Sequence, residues 1–184
     1  MTPPPRPPPN HISGSCLCRS ITYTLSFPSD STPWPPTVQS CQCTMCRKHT
    51  ASLLPIFLVL RPSSGQIAPW PLDAERHLGK NTTYTEYASS ENGLRGFCSR
   101  CGSSLLFRNR RQDAGDQKER ESQETMDLFV GTLDEKWLVD DREMAKALAT
   151  PNELQFWCKH AVQGVTDVVR GGTRLETVRG TEMD

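Results

Sequence analysis

Residues 97–108 read FCSRCGSSLLFR, and this stretch decides the fold. Cys98 and Cys101 are separated by two residues, Gly102 follows at once, and SLLFR (104–108) comes next. Two cysteines so close cannot readily bond to each other without strain. Both sulfurs can, however, point at one metal ion, and Gly102 lets the chain turn sharply after the second. SLLFR then has the length and composition of a strand. This knuckle supplies two of the four ligands that a tetrahedral structural zinc takes at about 2.3 Å. The matching pair is far away in sequence, Cys16 and Cys18 of GSCLC, at the start of the alternating strand SITYTLSF (20–27). Joining the pairs at one zinc pins two hairpins together. The bland alternative, four small buried apolar side chains, needs two spaced pairs to arise by accident.

Further strands lie on either side. LLPIFLVL (53–60) is a continuous apolar run whose length and Val and Ile content suit a buried strand better than a helix. MDLFVGTL (126–133) and ELQFWCKH (153–160) are strand candidates as well, and the breaker-rich PSDSTPWPP ends the first strand. The best helix is DDREMAKALA (140–149), which opens on acidic residues and stops before Pro151. The class is therefore mainly β. Residues 1–11 carry a run of prolines broken by Arg6 and read as a disordered leader, or as an extended ligand for a proline-binding module. Residues 12–170 form the folded domain. Within it, residues 109–125 are charged and almost free of apolar side chains, which predicts a mobile hairpin insertion rather than a charged surface helix. Residues 171–184 are expected to contribute a short strand and then fray.

A second cluster, CQCTMC (41–46), offers three sulfurs, Cys41, Cys43 and Cys46, and no second pair remains to complete it. Three protein ligands with an open position are the arrangement of a reactive zinc. Such a zinc can bind an incoming thiol and hold it as thiolate. Three alternatives stand beside this. Cys158 could close a four-sulfur site, neutral His49 could supply the fourth ligand, or the three thiols could stay reduced without metal. Cys158 also reads as an inert thiol on an apolar strand.

Composition narrows the class further. Lysine plus arginine balance aspartate plus glutamate, 21 against 21, so the basic excess expected of a nucleic-acid binder is missing. No apolar run is long enough to span a membrane, and MTPPPRPPPN lacks the apolar stretch of a secretory signal. The expected location is cytoplasmic, with the nucleus left open. Eight cysteines in a reducing compartment favour metal over disulfides.

Taken in order, GSCLC with ITYTL, CQCTMCRK, RGFCSRCGSSLLFR and FVGTLDEK resemble the glutathione-dependent formaldehyde-activating enzyme family, which includes centromere protein V. The similarity runs over about residues 12–170. It implies a β-tent fold of curved antiparallel sheets with two zinc ions, a structural one on Cys16, Cys18, Cys98 and Cys101 and a labile one on Cys41, Cys43 and Cys46. It also implies carbon–sulfur lyase chemistry, in which glutathione or a similar thiol forms an adduct with an aldehyde or another electrophilic metabolite. Arg47, Lys48 or Arg108 could hold the thiol's carboxylates by charge-assisted hydrogen bonds. Arg108 is favoured because the FCxxCGxxLxxR pattern carries an arginine there. For proton transfer no acid–base couple stands out; His49 and His160 are the nearby histidines.

Four departures from the family's pattern bear on substrate identity and remove no sulfur. Arg19 stands where a glycine is usual, Gln42 where histidine is common, RKHTAS (47–52) has no glycine, and LQFWCKHAVQGV (154–165) keeps Trp157 but lacks a later tryptophan. A second function remains in view, that of a noncatalytic zinc-stabilised scaffold for another macromolecule. It predicts a closed second site, and the neutral charge argues against chromatin as its partner.

Overall fold

The structure is a computed structural model that describes residues 9–27, 34–61, 67–68, 83–109 and 125–178. In chain order the strands and helices are β1 (His11–Ser15), β2 (Thr22–Ser26), β3 (Val38–Cys41), α1 (Thr44–Thr50), β4 (Ile56–Leu60), β5 (Ile67–Ala68), β6 (Tyr84–Ala88) and β7 (Gly93–Cys98). They continue with β8 (Ser104–Asn109), β9 (Met126–Phe129), α2 (Glu135–Leu138), α3 (Arg142–Ala149), β10 (Leu154–Phe156) and β11 (Thr173–Arg174). One sheet has three strands in the order β1-β2-β5, the other eight in the order β11-β10-β3-β4-β9-β8-β7-β6. The chain is mainly β, as its patterning predicts.

The pairing is antiparallel except at one edge, where β10 runs parallel to both β3 and β11. The sheets are thus antiparallel, as expected, with a parallel addition at one edge. A parallel neighbour needs a long crossover, and residues 157–172 provide one between β10 and β11.

β4 explains why its sequence is apolar throughout. Its alternate side chains Ile56, Leu58 and Leu60 face the main core with Ile12, Leu25, Leu106, Met126 and Leu128, whereas Phe57 and Val59 face a second cluster that holds Cys41, Cys43, Phe129 and Trp157. Both faces of the strand are covered, so no polar alternation appears. Leu58, Leu60, Leu106 and Leu128 are fully buried, and truncating any one to alanine should cost about 2–5 kcal/mol.

The predicted helix appears as α3. Asp141 caps it, accepting from the backbone N–H of Met144 at 3.1 Å, and Met144 and Leu148 bury one face. Two strand expectations are shortened. MDLFVGTL keeps strand only to Phe129, after which Val130–Thr132 form a 3-10 turn and Leu133 bridges Gly14 of β1. That turn carries the chain from the large sheet to the small one. ELQFWCKH keeps strand only to Phe156, because Trp157 takes a left-handed φ of 59° and Cys158–His160 turn away. Cys158 therefore sits on a turn, not on a strand.

Residues 1–8, 110–124 and 179–184, which carry most of the expected leader and insertion and the end of the tail, lie outside the described residues. The strands flanking the charged segment are paired, Arg108 opposite Met126. Among the described residues no helix is long and apolar enough to cross a membrane.

Candidate metal centres and cavity

The first sulfur group forms where two hairpin turns meet. Cys16 and Cys18 lie in the turn between β1 and β2, just ahead of the strand that SITYTLSF forms, and the Cys16 N–H donates to the Ile21 carbonyl at 3.0 Å. Cys98 ends β7, Cys101 follows in the turn, and Gly102 adopts a φ of 75°, the left-handed turn that its position predicts. Arg19 also takes a positive φ, 59°.

All four sulfurs lie within 4.8 Å of one another. Cys16 and Cys18 are 3.6 Å apart, Cys18 and Cys98 3.9 Å. A tetrahedron of thiolates at the usual Zn–S length requires sulfur separations of about 3.8 Å. These sulfurs are far too distant for disulfides, and every cysteine is free. The donor set thus fits a structural zinc. The Ser103 hydroxyl and backbone N–H hold the Cys101 thiol down to about 7, toward the charged form a metal requires.

The second group is built by one strand end and one helix start. Cys41 ends β3 and Cys43 is the N-cap of α1, its sulfur accepting from the Cys46 N–H at 3.3 Å. This explains the spacing, since an N-cap and the third helical residue share one side of a helix. The three sulfurs lie within 4.8 Å of one another. Hydrogen bonds from Cys41 and Cys46, then the backbone N–H and the Arg95 guanidinium, push the Cys43 thiol far down, and Cys41 is pushed up in return. Among the described residues no fourth Cys, His, Asp or Glu joins the group. Three sulfurs and no more fit a metal with an open coordination position.

Neither proposed closing residue reaches it. The Cys158 thiol donates to the Gln155 carbonyl at 3.3 Å. His49 packs its ring against Phe129, with centroids 5.6 Å apart, and its Nε2 is buried without a hydrogen-bond partner. Burial, and then the charge of Arg95, push His49 down to about 4 and keep it neutral. Gln42 fixes a different element, its Oε1 accepting from the Thr166 hydroxyl at 2.6 Å.

The three sulfurs open into a cavity of about 690 Å³. Its floor is one face of the large sheet, a row that runs across neighbouring strands from Arg95 through Phe107 and Asp127 to Val59. Arg95 is buried, 4 % exposed, and Nη1 and Nη2 lie 3.6 and 3.7 Å from the Cys46 sulfur. Its Nε donates to Ser89 at 3.1 Å, and its guanidinium lies 5.1 Å from the centre of the Phe107 ring. Burial pushes the Asp127 carboxyl up to about 7, against the pull of Arg95.

The basic residues expected at the substrate do not line this cavity. Arg108 alternates with Phe107 and so lies on the opposite face of the sheet, where it makes a two-pronged bond to Glu86 at 2.7 Å on each prong. Lys48 is exposed on α1, and Arg47, half-buried on the same helix, keeps its Nε unpartnered. None of the three lines the cavity, whereas Arg95 and Arg61 do. His160 stacks on Trp157. Sequence reasoning missed Arg95 and Asp127. The signals were an arginine inside the strand-like GLRGFC (93–98) and an acid inside MDLF (126–129), each of which needs a reason to be enclosed.

Two cysteine groups, one of four sulfurs between two hairpin turns and one of three that faces a cavity, define a mainly β protein with two places that could hold a metal ion. The family model described as glutathione-dependent formaldehyde-activating enzyme matches residues 11–160, and the chain belongs to that family. Comparison with curated proteins finds no match.

Proposed function

We propose that this protein catalyses the reversible addition of a small thiol, glutathione or one like it, to a carbonyl carbon, a carbon–sulfur lyase-type reaction at Cys41, Cys43 and Cys46. The observation that carries this reading is the convergence of three sulfurs, a buried arginine and a carboxyl of raised pKa on one cavity. Zinc held by the three cysteines would supply an open position that stabilises an incoming thiol as thiolate.

The remaining work falls to side chains. Arg95 sets positive charge beside the Cys46 sulfur and so favours anionic sulfur there. Asp127, in its protonated form, can donate to the oxygen of an aldehyde under attack. The carbon–sulfur bond forms, the carbonyl π pair moves to oxygen, and the Asp127 proton follows it. In reverse, Asp127 takes the hydroxyl proton as the carbon–sulfur bond breaks and thiolate leaves. A carboxyl poised near neutrality serves both directions. The aromatic walls limit water around the reacting groups.

The test mixes zinc-replete protein with glutathione and an aldehyde and follows exchange between free carbonyl and adduct by NMR. Catalysed exchange that Cys43→Ala abolishes supports the reading. Metal-loaded protein that accelerates no thiol–aldehyde pair would overturn it.

A further inference from the structure

We propose that the carbonyl partner carries an aromatic or comparably bulky apolar group, so that the natural electrophile is much larger than formaldehyde. A carbonyl of two heavy atoms fills little more than the ~30 Å³ share of a water molecule. The cavity offers about 690 Å³, within the range of roughly 300–1,000 Å³ that encloses drug-sized ligands. Glutathione can occupy part of that space, but its carboxylates and amides need polar partners, and apart from Arg95 at Cys46 the side chains packed around the sulfurs are aromatic and aliphatic.

The wall has a definite layout. Cys41 and Cys43 pack in one cluster with Phe57, Phe129 and Trp157, and Val59, Phe107 and Phe156 are half-buried at its margin. Phe57 and Phe129 meet edge to face, with centroids 6.4 Å apart, which stiffens the surface. Phe107 has the Arg95 guanidinium over its ring and is a neighbour of Asp127 across the strands. A group attached to the carbon that bonds sulfur would therefore rest on aromatic rings, not in solvent. Among the described residues, the charged side chains of the cavity other than Arg95 and Asp127 are Arg61, Glu91 and Glu153, outside this cluster. They suit the polar, thiol-bearing part of an adduct. Water left against so much apolar wall would be unfavourable, and an apolar substituent that displaces it gains in binding.

Two measurements test this, and only the first rests on the proposed reaction. Catalysed adduct exchange with glutathione, each rate divided by its uncatalysed rate, is compared for formaldehyde and phenylacetaldehyde. The phenyl aldehyde should be favoured by roughly tenfold to hundredfold, the range that burial of such a group gives. Phe107→Ala should erase most of that preference and Phe107→Leu should keep it. The second measurement is calorimetric binding of S-benzylglutathione and S-methylglutathione, which need no turnover. Binding of the benzyl compound at least about tenfold tighter supports the proposal even if no aldehyde reacts, in which case the reaction alone is wrong. Equal affinity, no binding of either compound, or a preference for formaldehyde would overturn it.

Discussion

Arg95 sets both of its terminal nitrogens on the sulfur of Cys46, at 3.6 and 3.7 Å, from a strand 49 residues further along the chain. This contact joins the large sheet to the metal-ligand loop and puts a permanent positive charge at the cavity's reactive end. Arg108, thirteen positions on, lies on the other face and serves Glu86 instead.

The two arginines should therefore respond differently to mutation. Arg95→Lys keeps the charge but loses the planar fork, and thiol affinity should fall about tenfold. Arg108→Ala should leave thiol affinity unchanged and lower stability by about 1–2 kcal/mol, through loss of a half-buried fork to Glu86. Thiol titration and urea unfolding of both variants separate the roles. A tenfold loss of affinity in Arg108→Ala would restore that residue to the site.

Asp127 predicts a pH dependence. Its carboxyl is pushed up to about 7 by burial, so the protonated form needed for adduct formation is lost as pH rises through that value. Among the described residues, the facing charges are Arg95, Arg61, Glu91, Glu153 and the three cysteines. Adduct formation should decline above about pH 7, and Asp127→Asn should lower the rate by about 10²–10⁴ and abolish that step in the profile. The stability effect has the opposite sense. A carboxyl whose folded pKa is raised disfavours the folded state above that pKa, so Asp127→Asn should melt higher than wild type at pH 8. That gap should close as pH falls from 7 toward about 4. An unchanged rate profile would remove Asp127 from proton transfer.

Arg19 is an exposed residue held at a φ of 59°. Left-handed backbone costs a side-chain-bearing residue about 1–2 kcal/mol, and glycine gives back about 0.5–1 kcal/mol through unfolded-state entropy. Arg19→Gly should stabilise the protein by about 0.5–1 kcal/mol, measured by urea unfolding with metal held constant. A loss of stability would mean that Arg19 makes a contact of its own.

The two cysteine groups should differ in what their loss does. Cys98→Ser removes a ligand that ties β7 to the β1–β2 turn, and it should cause broad unfolding. Cys43→Ser leaves the hairpins joined and should keep the near-ultraviolet circular dichroism of the folded chain. Equal unfolding in the two would make both sites structural.

The sulfur sites were legible in the sequence because metal geometry is encoded locally, in pairs one or two residues apart followed by a turn. β4 and β8 were legible because their apolar runs are long enough to exceed chance. The rest was hidden for physical reasons. β1, HISGS, buries only Ile12 and Gly14 and carries no apolar signature. α1 has no fully buried side chain and owes its start to the Cys43 cap, which hydrophobic periodicity cannot report. Arg95 and Asp127 were missed because both faces of the large sheet are covered, one by core and one by cavity. Alternation alone could not say which face held the chemistry. For the same reason the motif that marks Arg108 does not say which face of the sheet it takes.

The most direct test of two metal sites, one of them open, is the zinc content of purified protein by elemental analysis, before and after a mild chelator. Two zinc ions per chain, one of them removed by the chelator and missing from a folded Cys43→Ala variant, are the predicted result. A single ion per chain, or two that both resist removal, would contradict an open reactive centre at Cys41, Cys43 and Cys46.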